Sequence, residues 1–160
     1  MNILIPRVIK NWGKNLNINF DRNFVNNPVS FGRRFAKQKN NQKLWKKSFS
    51  EFNLFPQLKE PVLGDLVMNH YENKACTHIH KDSAPEGYVH IRANLMLEKP
   101  TAGGDIIIDD EVIQVDKHDL WLVLASLENH GSTPIENGQR LIYSFGAIIE
   151  QDKIKHLTER

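Results

Sequence analysis

His80, Asp82, His130 and Arg140 are the residues of this sequence whose types and spacing point to shared chemistry. Two histidines and one carboxylate can occupy one face of an octahedral metal ion, as in non-haem iron sites, and leave the other positions open for small ligands. Because residues i and i+2 of a strand point the same way, a strand would let His80 and Asp82 reach one ion. The planar fork of Arg140 suits a carboxylate. The H-x-D triplet is short, so by itself it is weak evidence for a metal site.

The composition is that of a globular protein, with 160 residues of which 40% are hydrophobic and 25% are charged. This length favours one domain. No apolar run approaches the ~20 residues that a membrane span needs, and the first residues lack the features of a signal peptide. We therefore expect a soluble, cytoplasmic protein without a membrane partner. Cys76 is the only cysteine, which excludes an internal disulfide and leaves a partly buried thiol or a redox or ligand role.

The charges are spread unevenly along the chain. Residues 1–60 carry twelve lysines and arginines against three acidic residues, whereas residues 61–160 carry nine against sixteen. Such an asymmetry is typical of a solvated helix face, of one layer of a domain that attracts another, or of a surface for nucleic acid or another acidic partner. We favour the solvated face, and the nucleic-acid alternative would use Arg33, Arg34, Lys37, Lys39, Lys43, Lys46 and Lys47.

The pattern of apolar residues changes near residue 60. Leu44, Trp45, Phe49 and Phe52 recur at helical spacing and predict an amphipathic helix that ends at Pro56. Beyond this point the period becomes two, which predicts strands at 62–71, 77–82, 89–98, 104–108, 112–115, 120–125 and 141–149, with a hairpin turn at 109–110. We expect one domain (1–160), with a basic helical or irregular layer (1–60), a β core (61–150) and a charged tail (151–160).

The strand predicted at 89–98 alternates apolar and polar residues. In an ordinary sandwich the polar set, which includes His90, Arg92 and Asn94, would face water. If the apolar set packs on the amphipathic helix instead, the polar set lines the interior of a barrel. Both arrangements fit the alternation.

The segment from His130 to Arg140, HGSTPIENGQR, resembles the H-x-x-x-P-x-x-x-G-x-R pattern of the 2-oxoglutarate/Fe(II)-dependent oxygenases, above all the prolyl-hydroxylase-like group. Upstream, N-H-Y at 69–71 followed by H-K-D at 80–82 is similar to the N-x-Y and H-x-D arrangement of that superfamily. Arg92 and G-G-D at 103–105 resemble its R and GG(E/D) segment. The resemblance covers residues 62–147.

This resemblance implies a mainly β fold, a double-stranded β-helix (jelly roll) with the N-terminal segment packed on the sheet. It implies that His80, Asp82 and His130 bind Fe(II), and that Arg140 holds the distal carboxylate of 2-oxoglutarate. Further contacts to this co-substrate are expected from Tyr71, Asn69, Asn94 and Ser144, although the family often has Arg-x-Ser and position 142 is isoleucine here. Residues expected near the prime substrate are Arg92, His90 and His78.

The implied reaction is hydroxylation of a C–H bond with 2-oxoglutarate and O2 as co-substrates. A protein prolyl residue is the first expectation for the substrate, and a free amino acid or another small molecule is the second. The DNA-dealkylating members of the superfamily share N-x-Y but follow their distal arginine with further polar and arginine residues, whereas L-I-Y-S-F-G follows Arg140 here.

Two other metal sites compete with this interpretation. His78 and His80 form the H-x-H of a cupin, which Glu86 and His130 would complete, but cupins have their glycine and proline before the last histidine and this chain has them after it. A zinc site of Cys76, His78 and His80 would draw its ligands from five residues without a second pair.

Overall fold

The structure is a computed structural model that describes residues 5–27, 32–39, 41–54 and 63–158. Within these residues the strands are β1 (Val8–Ile9), β2 (Val25–Asn26), β3 (Arg33–Lys37), β4 (Leu63–Tyr71), β5 (Tyr88–Glu98), β6 (Ala102–Gly103), β7 (Ile106–Ile108), β8 (Glu111–Ile113), β9 (Leu120–Val123), β10 (His130–Ser132), β11 (Ile135–Asn137) and β12 (Arg140–Glu150). The helices are α1 (Gln42–Ser50) and α2 (Lys155–Thr158), and a 3-10 turn (Gln151–Ile154) leads into α2.

The strands form one large sheet and two small ones. The large sheet has the order β1-β9-β5-β12-β4-β3-β2, and the small sheets have the orders β10-β7-β8 and β11-β6. All of the pairings are antiparallel. A cavity between the large sheet and β7 and β10 is lined from both sides. This is the arrangement of a double-stranded β-helix, and the predicted fold class is confirmed.

The two long central strands, β5 and β12, divide their side chains between the two faces of the large sheet. On β5, Val89, Ile91, Ala93 and Leu95 are fully buried in the main apolar core. The alternate residues Arg92 and Asn94 line the cavity. β12 alternates in the same way, with Tyr143, Phe145, Ala147 and Ile149 in the core and Arg140, Ile142 and Ser144 at the cavity. The barrel arrangement, and not the ordinary sandwich, is therefore the one adopted.

Helix α1 covers the core side of the large sheet. Asn41 caps it, because its side-chain oxygen accepts a hydrogen bond from the Leu44 N–H at 3.1 Å. Trp45 is 1% exposed, and its indole N–H donates to the Gly146 carbonyl of β12 at 2.9 Å. The helix ends at Ser50, and a turn with a positive φ at Asn53 returns Phe52 and Leu54 to the core. Pro56, the predicted end of the helix, lies outside the described residues.

The two ends of the chain contain more regular structure than the sequence predicts. β1, β2 and β3 come from the basic front and extend the large sheet at both edges. The predicted charged tail contains the 3-10 turn and α2, whose residues Ile154 and Leu157 are buried in the main core. Apolar residues in these short segments find partners only through the tertiary fold, which local patterns do not reveal.

Other boundaries are close to the predicted ones, with one clear exception. Asp109 and Asp110 both have positive φ, as a two-residue turn between β7 and β8 requires, so the predicted hairpin is confirmed. The predicted strand at 77–82 is wrong, since only an isolated bridge at His80 has strand pairing there.

Neither helix of the described residues has the length and apolar character to cross a membrane.

Replacement of Trp45 by alanine is expected to destabilise the protein by about 3–5 kcal/mol, because it empties a buried site and leaves the Gly146 carbonyl without its donor. Chemical denaturation of the metal-free protein measures this change. Lys43, on the exposed face of the same helix, serves as the control, and Lys43→Ala is expected to alter the free energy of unfolding by less than about 0.5 kcal/mol. Equal stability of the two variants would contradict the packing described for α1.

Candidate metal centre

A pair of backbone hydrogen bonds brings the two histidines of the site opposite each other. The His80 N–H donates to the His130 carbonyl at 3.0 Å, and the His130 N–H donates to the His80 carbonyl at 2.9 Å. The segment before His80 runs beside β10, where the Ser132 N–H donates to the Thr77 carbonyl. A Cβ atom at Gly131 would lie 2.6 Å from this carbonyl oxygen, so only glycine allows the close approach. The glycine after His130 is a signal that sequence reasoning did not use.

The hydrogen bonds of both imidazoles leave the same ring nitrogen for a metal ion. Nδ1 of His80 lies 2.7 Å from the His78 carbonyl oxygen, and Nδ1 of His130 lies 3.0 Å from the Glu128 carbonyl oxygen. Because a carbonyl oxygen only accepts, each Nδ1 must carry the proton. In the neutral ring Nε2 then holds the free lone pair, which is the arrangement of metal-binding histidines.

Asp82 brings its carboxylate between these two nitrogens. Its Oδ1 lies 3.1 Å from His80 Nε2 and 3.8 Å from His130 Nε2. The ligand atoms of these three residues all lie within 4.8 Å of one another, the one such group of histidine, cysteine and acidic side chains found in the described part of the chain. The predicted iron ligands are therefore together, although a loop and not a strand carries His80 and Asp82.

The charges around the carboxylate favour its ionised form. Burial raises the pKa of Asp82, but the hydrogen bond from His80 and the nearby charges of Arg92, His130 and His90 outweigh burial and lower this pKa to about 2. The hydrogen bond to Asp82 raises the pKa of His80 above its ordinary value, while burial lowers that of His130. A proton on His80 Nε2 and a divalent cation would therefore compete for the same place next to Asp82.

The cavity next to this group has a volume of about 190 Å³, and Arg140 lies in its wall. The Arg140 side chain is buried at 1% exposure, and its Nη atoms donate to the Gly104 carbonyl and to the Ser132 hydroxyl at 3.0 Å each. Its Nε is buried and has no hydrogen-bond partner in the described structure. Burial lowers the pKa of Arg140. A buried cation whose hydrogen bonds go only to neutral groups is suited to binding an anion.

The residues expected to contact a co-substrate all line this cavity: Tyr71, Asn69, Asn94 and Ser144. The guanidinium of Arg140 lies over the Tyr71 ring, 4.2 Å from its centroid. Burial raises the pKa of Tyr71, but the charges of Arg33 and Arg140 outweigh it and lower this pKa. Ser144 faces the cavity as the alternation predicts, and its hydroxyl accepts a hydrogen bond from Arg92 at 3.0 Å.

The three residues expected near a substrate are placed differently from one another. Arg92 lines the cavity and lies 3.5 Å from Asp82 Oδ2. His90 is next to the same oxygen at 3.2 Å, but it is not part of the cavity wall. The side chain of His78 is exposed, and this residue takes part in the site through its backbone carbonyl.

Sequence reasoning missed two arginines of the site. Arg33, which the sequence assigns to the basic surface, lines the cavity. Arg7 forms an ion pair with Glu128, whose side chain is fully buried, at distances of 2.6 and 3.0 Å. Glu128 also accepts the Leu124 N–H, so this pair fixes the loop whose carbonyl orients His130. Neither arginine belongs to a motif. Arg33 reaches the cavity because β3 joins the large sheet, and Arg7, next to β1, supports the site from outside the cavity through Glu128.

The competing metal sites are not assembled. Glu86 and His78 are exposed and lie outside the converging group, so the four ligands of a cupin-type site do not meet. Cys76 is a half-buried free thiol that is not part of the group either, which excludes the proposed zinc ligands.

Comparison with known proteins supports the fold. No protein-family model matches the chain, and no curated protein matches its sequence. Among solved structures, a viral collagen prolyl hydroxylase from Paramecium bursaria Chlorella virus 1, solved as a 2-oxoglutarate complex, matches 74% of this chain and 80% of its own with 14% identity and a TM-score of 0.57. A prolyl-4-hydroxylase from Pseudomonas putida matches 74% and 72% with 15% identity and a TM-score of 0.56. A 2OG-Fe(II) oxygenase family protein from Burkholderia pseudomallei matches 77% and 70% with 12% identity and a TM-score of 0.55. The resemblance seen in the sequence is confirmed as a shared fold, which by itself does not define an activity.

Metal affinity is expected to fall about tenfold per pH unit as the pH drops below the raised pKa of His80, because each bound ion must then displace the proton on Nε2. Above that pKa the ring is already neutral and the affinity levels off. His130, whose pKa is lowered, adds a second proton and a steeper slope only at lower pH. Calorimetric titration of the apoprotein with Mn(II) at several pH values measures this profile.

His78→Ala is the matched control for this titration, since it removes an exposed imidazole and keeps the backbone carbonyl that orients His80. The variant is expected to give the wild-type pH profile. A wild-type affinity that stays constant from about pH 8 to about pH 5 would contradict a histidine-containing metal site.

Arg7→Met is expected to destabilise the protein by about 3–5 kcal/mol, because it leaves the buried Glu128 carboxylate without its partner. It is also expected to weaken metal binding, since the Glu128 carbonyl orients His130. Thermal or chemical unfolding and Mn(II) titration measure the two effects. Arg22 is an exposed arginine whose guanidinium lies over Phe20, and Arg22→Met serves as the control. Indistinguishable variants would show that the Arg7–Glu128 pair does not support the site.

Proposed function

We propose that the protein is an Fe(II)- and 2-oxoglutarate-dependent dioxygenase that hydroxylates a C–H bond of its substrate. The observation that carries the proposal is the convergence of two histidine Nε2 atoms and one carboxylate beside a cavity that also contains a buried arginine. A facial set of two histidines and one carboxylate with open positions is typical of non-haem Fe(II) oxygenases.

The donor set fits a ferrous ion. His80 and His130 would bind it through Nε2, because backbone carbonyls hold the protons on both Nδ1 atoms. Asp82 would bind it through a carboxylate that is ionised at neutral pH. Arg92 and His90 would keep the second oxygen of Asp82 in place, and thereby orient the first oxygen toward the metal.

The other side of the cavity fits 2-oxoglutarate. Arg140 would hold the distal carboxylate of the co-substrate, and the Ser132 hydroxyl and Gly104 carbonyl keep its fork in position. Part of the cavity wall is apolar and would exclude water from the reacting atoms: Ile106, Ile108, Trp121, Val123 and Ile142.

Iron and 2-oxoglutarate, when bound, supply the oxidising chemistry: 2-oxoglutarate loses CO2 and becomes succinate with one oxygen atom of O2, and the other oxygen atom enters the substrate as a hydroxyl group. The chain contributes binding and orientation. For the substrate we propose first a prolyl residue of a protein, because the H-x-x-x-P-x-x-x-G-x-R and G-G-D segments resemble the prolyl-hydroxylase-like group best. A free amino acid or another small molecule is the second class to test.

An anaerobic titration tests the proposal. Protein loaded with Fe(II) is titrated with 2-oxoglutarate while its visible metal-to-ligand charge-transfer band is recorded, and O2 is then added and succinate is measured. We expect the band to appear and succinate to form. Absence of both the charge-transfer band and succinate would refute the proposal.

Variants assign the roles of the residues in this titration. Asp82→Ala is expected to lose Fe(II) binding, because the site then offers only two ligands. Arg140→Ala is expected to retain Fe(II) but to bind 2-oxoglutarate about 100-fold more weakly, as when one partner of a buried charge pair is removed. Asp105→Asn, which changes an exposed carboxylate outside the cavity, is the control and should behave as the wild type. Wild-type affinity for 2-oxoglutarate in the Arg140 variant would refute the role of Arg140.

A further inference from the structure

Arg33, Tyr71 and Arg140 form one row across three adjacent strands of the large sheet. Arg33 of β3 is paired with Tyr71 of β4, and Tyr71 is paired with Arg140 of β12. Directly paired residues of an antiparallel sheet project from the same face. All three side chains accordingly line the cavity, and the tyrosine lies between the two arginines.

Both guanidiniums contact the same aromatic ring. The guanidinium carbon of Arg33 lies 5.8 Å from the centroid of Tyr71, and that of Arg140 lies 4.2 Å from it. Arg33 also donates from Nε and Nη2 to Oδ1 of Asn69, at 3.2 and 2.8 Å. The amide oxygen must face Arg33, since arginine has no acceptor. These contacts direct the half-buried arginine toward the cavity.

Neither arginine is paired with a carboxylate among the residues that the structure describes, and the acidic group that both approach is the phenol of Tyr71, whose pKa their charges lower. The hydrogen bonds of Arg33 go to a neutral amide, and those of Arg140 go to a carbonyl and a hydroxyl. Asp82 is the only acidic residue of the cavity wall, and it contacts the histidines and Arg92 instead. Burial and, less strongly, the positive charge of Arg33 lower the pKa of Arg140, so the two cations repel each other, and an anion that contacts both would relieve this repulsion.

We propose that Arg33 is a second anchor for the distal carboxylate of 2-oxoglutarate, which it binds together with Arg140 from the opposite side of Tyr71. This inference rests on the proposed function and adds to it a binding residue that comes from the N-terminal part of the chain. It also removes Arg33 from the basic surface considered for nucleic acid. Asn69 is then a positioning residue, because it acts on the carboxylate through Arg33.

The experiment compares two ligands that differ only at the distal end. 2-Oxopentanoate has the same five-carbon 2-oxo acid chain as 2-oxoglutarate, but a methyl group replaces its distal carboxylate. Binding of each ligand to Fe(II)-loaded protein is measured by calorimetry without oxygen. Arg33→Gln removes the charge and keeps a donor for Asn69. Arg34→Gln is the matched control, because Arg34 is the next residue of β3, contacts His70 and Glu72, and does not line the cavity.

We expect Arg33→Gln to weaken binding of 2-oxoglutarate roughly tenfold, and that of 2-oxopentanoate by less than about twofold. Arg34→Gln should change neither affinity. An unchanged affinity for 2-oxoglutarate in Arg33→Gln would overturn the proposal, and so would an equal loss for both ligands, which indicates a structural role.

A third variant keeps the test decisive if 2-oxopentanoate binds too weakly to measure. Arg33→Lys retains the charge without the planar fork, and should recover most of the affinity for 2-oxoglutarate that Arg33→Gln loses. Equal losses in the two variants would overturn the role of the charge.

Fe(II) affinity and the unfolding midpoint are measured for every variant and should match the wild type. If the wild-type protein itself does not bind 2-oxoglutarate, the proposed function fails; if it binds and Arg33→Gln binds equally well, only the second anchor fails.

Discussion

The reciprocal backbone hydrogen bonds between His80 and His130 are the constraint on which the rest of the site depends. They join a loop to β10, and so they bring together ligands that lie far apart in the chain. The rings follow from the backbone, since each Nδ1 is held by a carbonyl two residues before it. Asp82 follows His80 by two residues in the same loop, and its carboxylate oxygen lies near both Nε2 atoms. Gly131 allows the two backbones to approach this closely.

A jelly roll with a polar interior must be stabilised mainly by apolar packing outside that interior. Here the main apolar core lies on the outer face of the large sheet, under α1 and the C-terminal turn, while a smaller cluster closes the cavity wall. Trp45 joins α1 to the large sheet, because it packs in the outer core and donates to the backbone of β12. The interior can therefore hold three arginines and an aspartate without also having to supply most of the burial of apolar area.

The sequence predicts those parts of the fold and site that depend on local pattern. The alternation along β5 and β12 and the turn at Asp109 and Asp110 follow from periodicity, and the metal ligands and Arg140 follow from family motifs. The course of the segment at 77–82 does not, because two histidines and an aspartate at alternate positions look like a strand whether or not a neighbour pairs with them. Arg33 and Arg7 could not be assigned either. Their partners lie in β4 and in the loop before His130, and only long-range strand pairing brings them together.

The alternation along β5 gives one strand two duties. Its odd-numbered residues from Val89 to Leu95 fill the outer core, and Arg92 and Asn94 furnish the cavity. A shift of one residue in its pairing with β12 would turn Arg92 and Asn94 into the apolar core and the apolar residues toward the cavity. Such a register would lose the apolar core and the polar wall of the cavity together. The hydrogen bonds that fix the register of β5 therefore position both, and a substitution that shifts this register is expected to disturb the core and the candidate site at once.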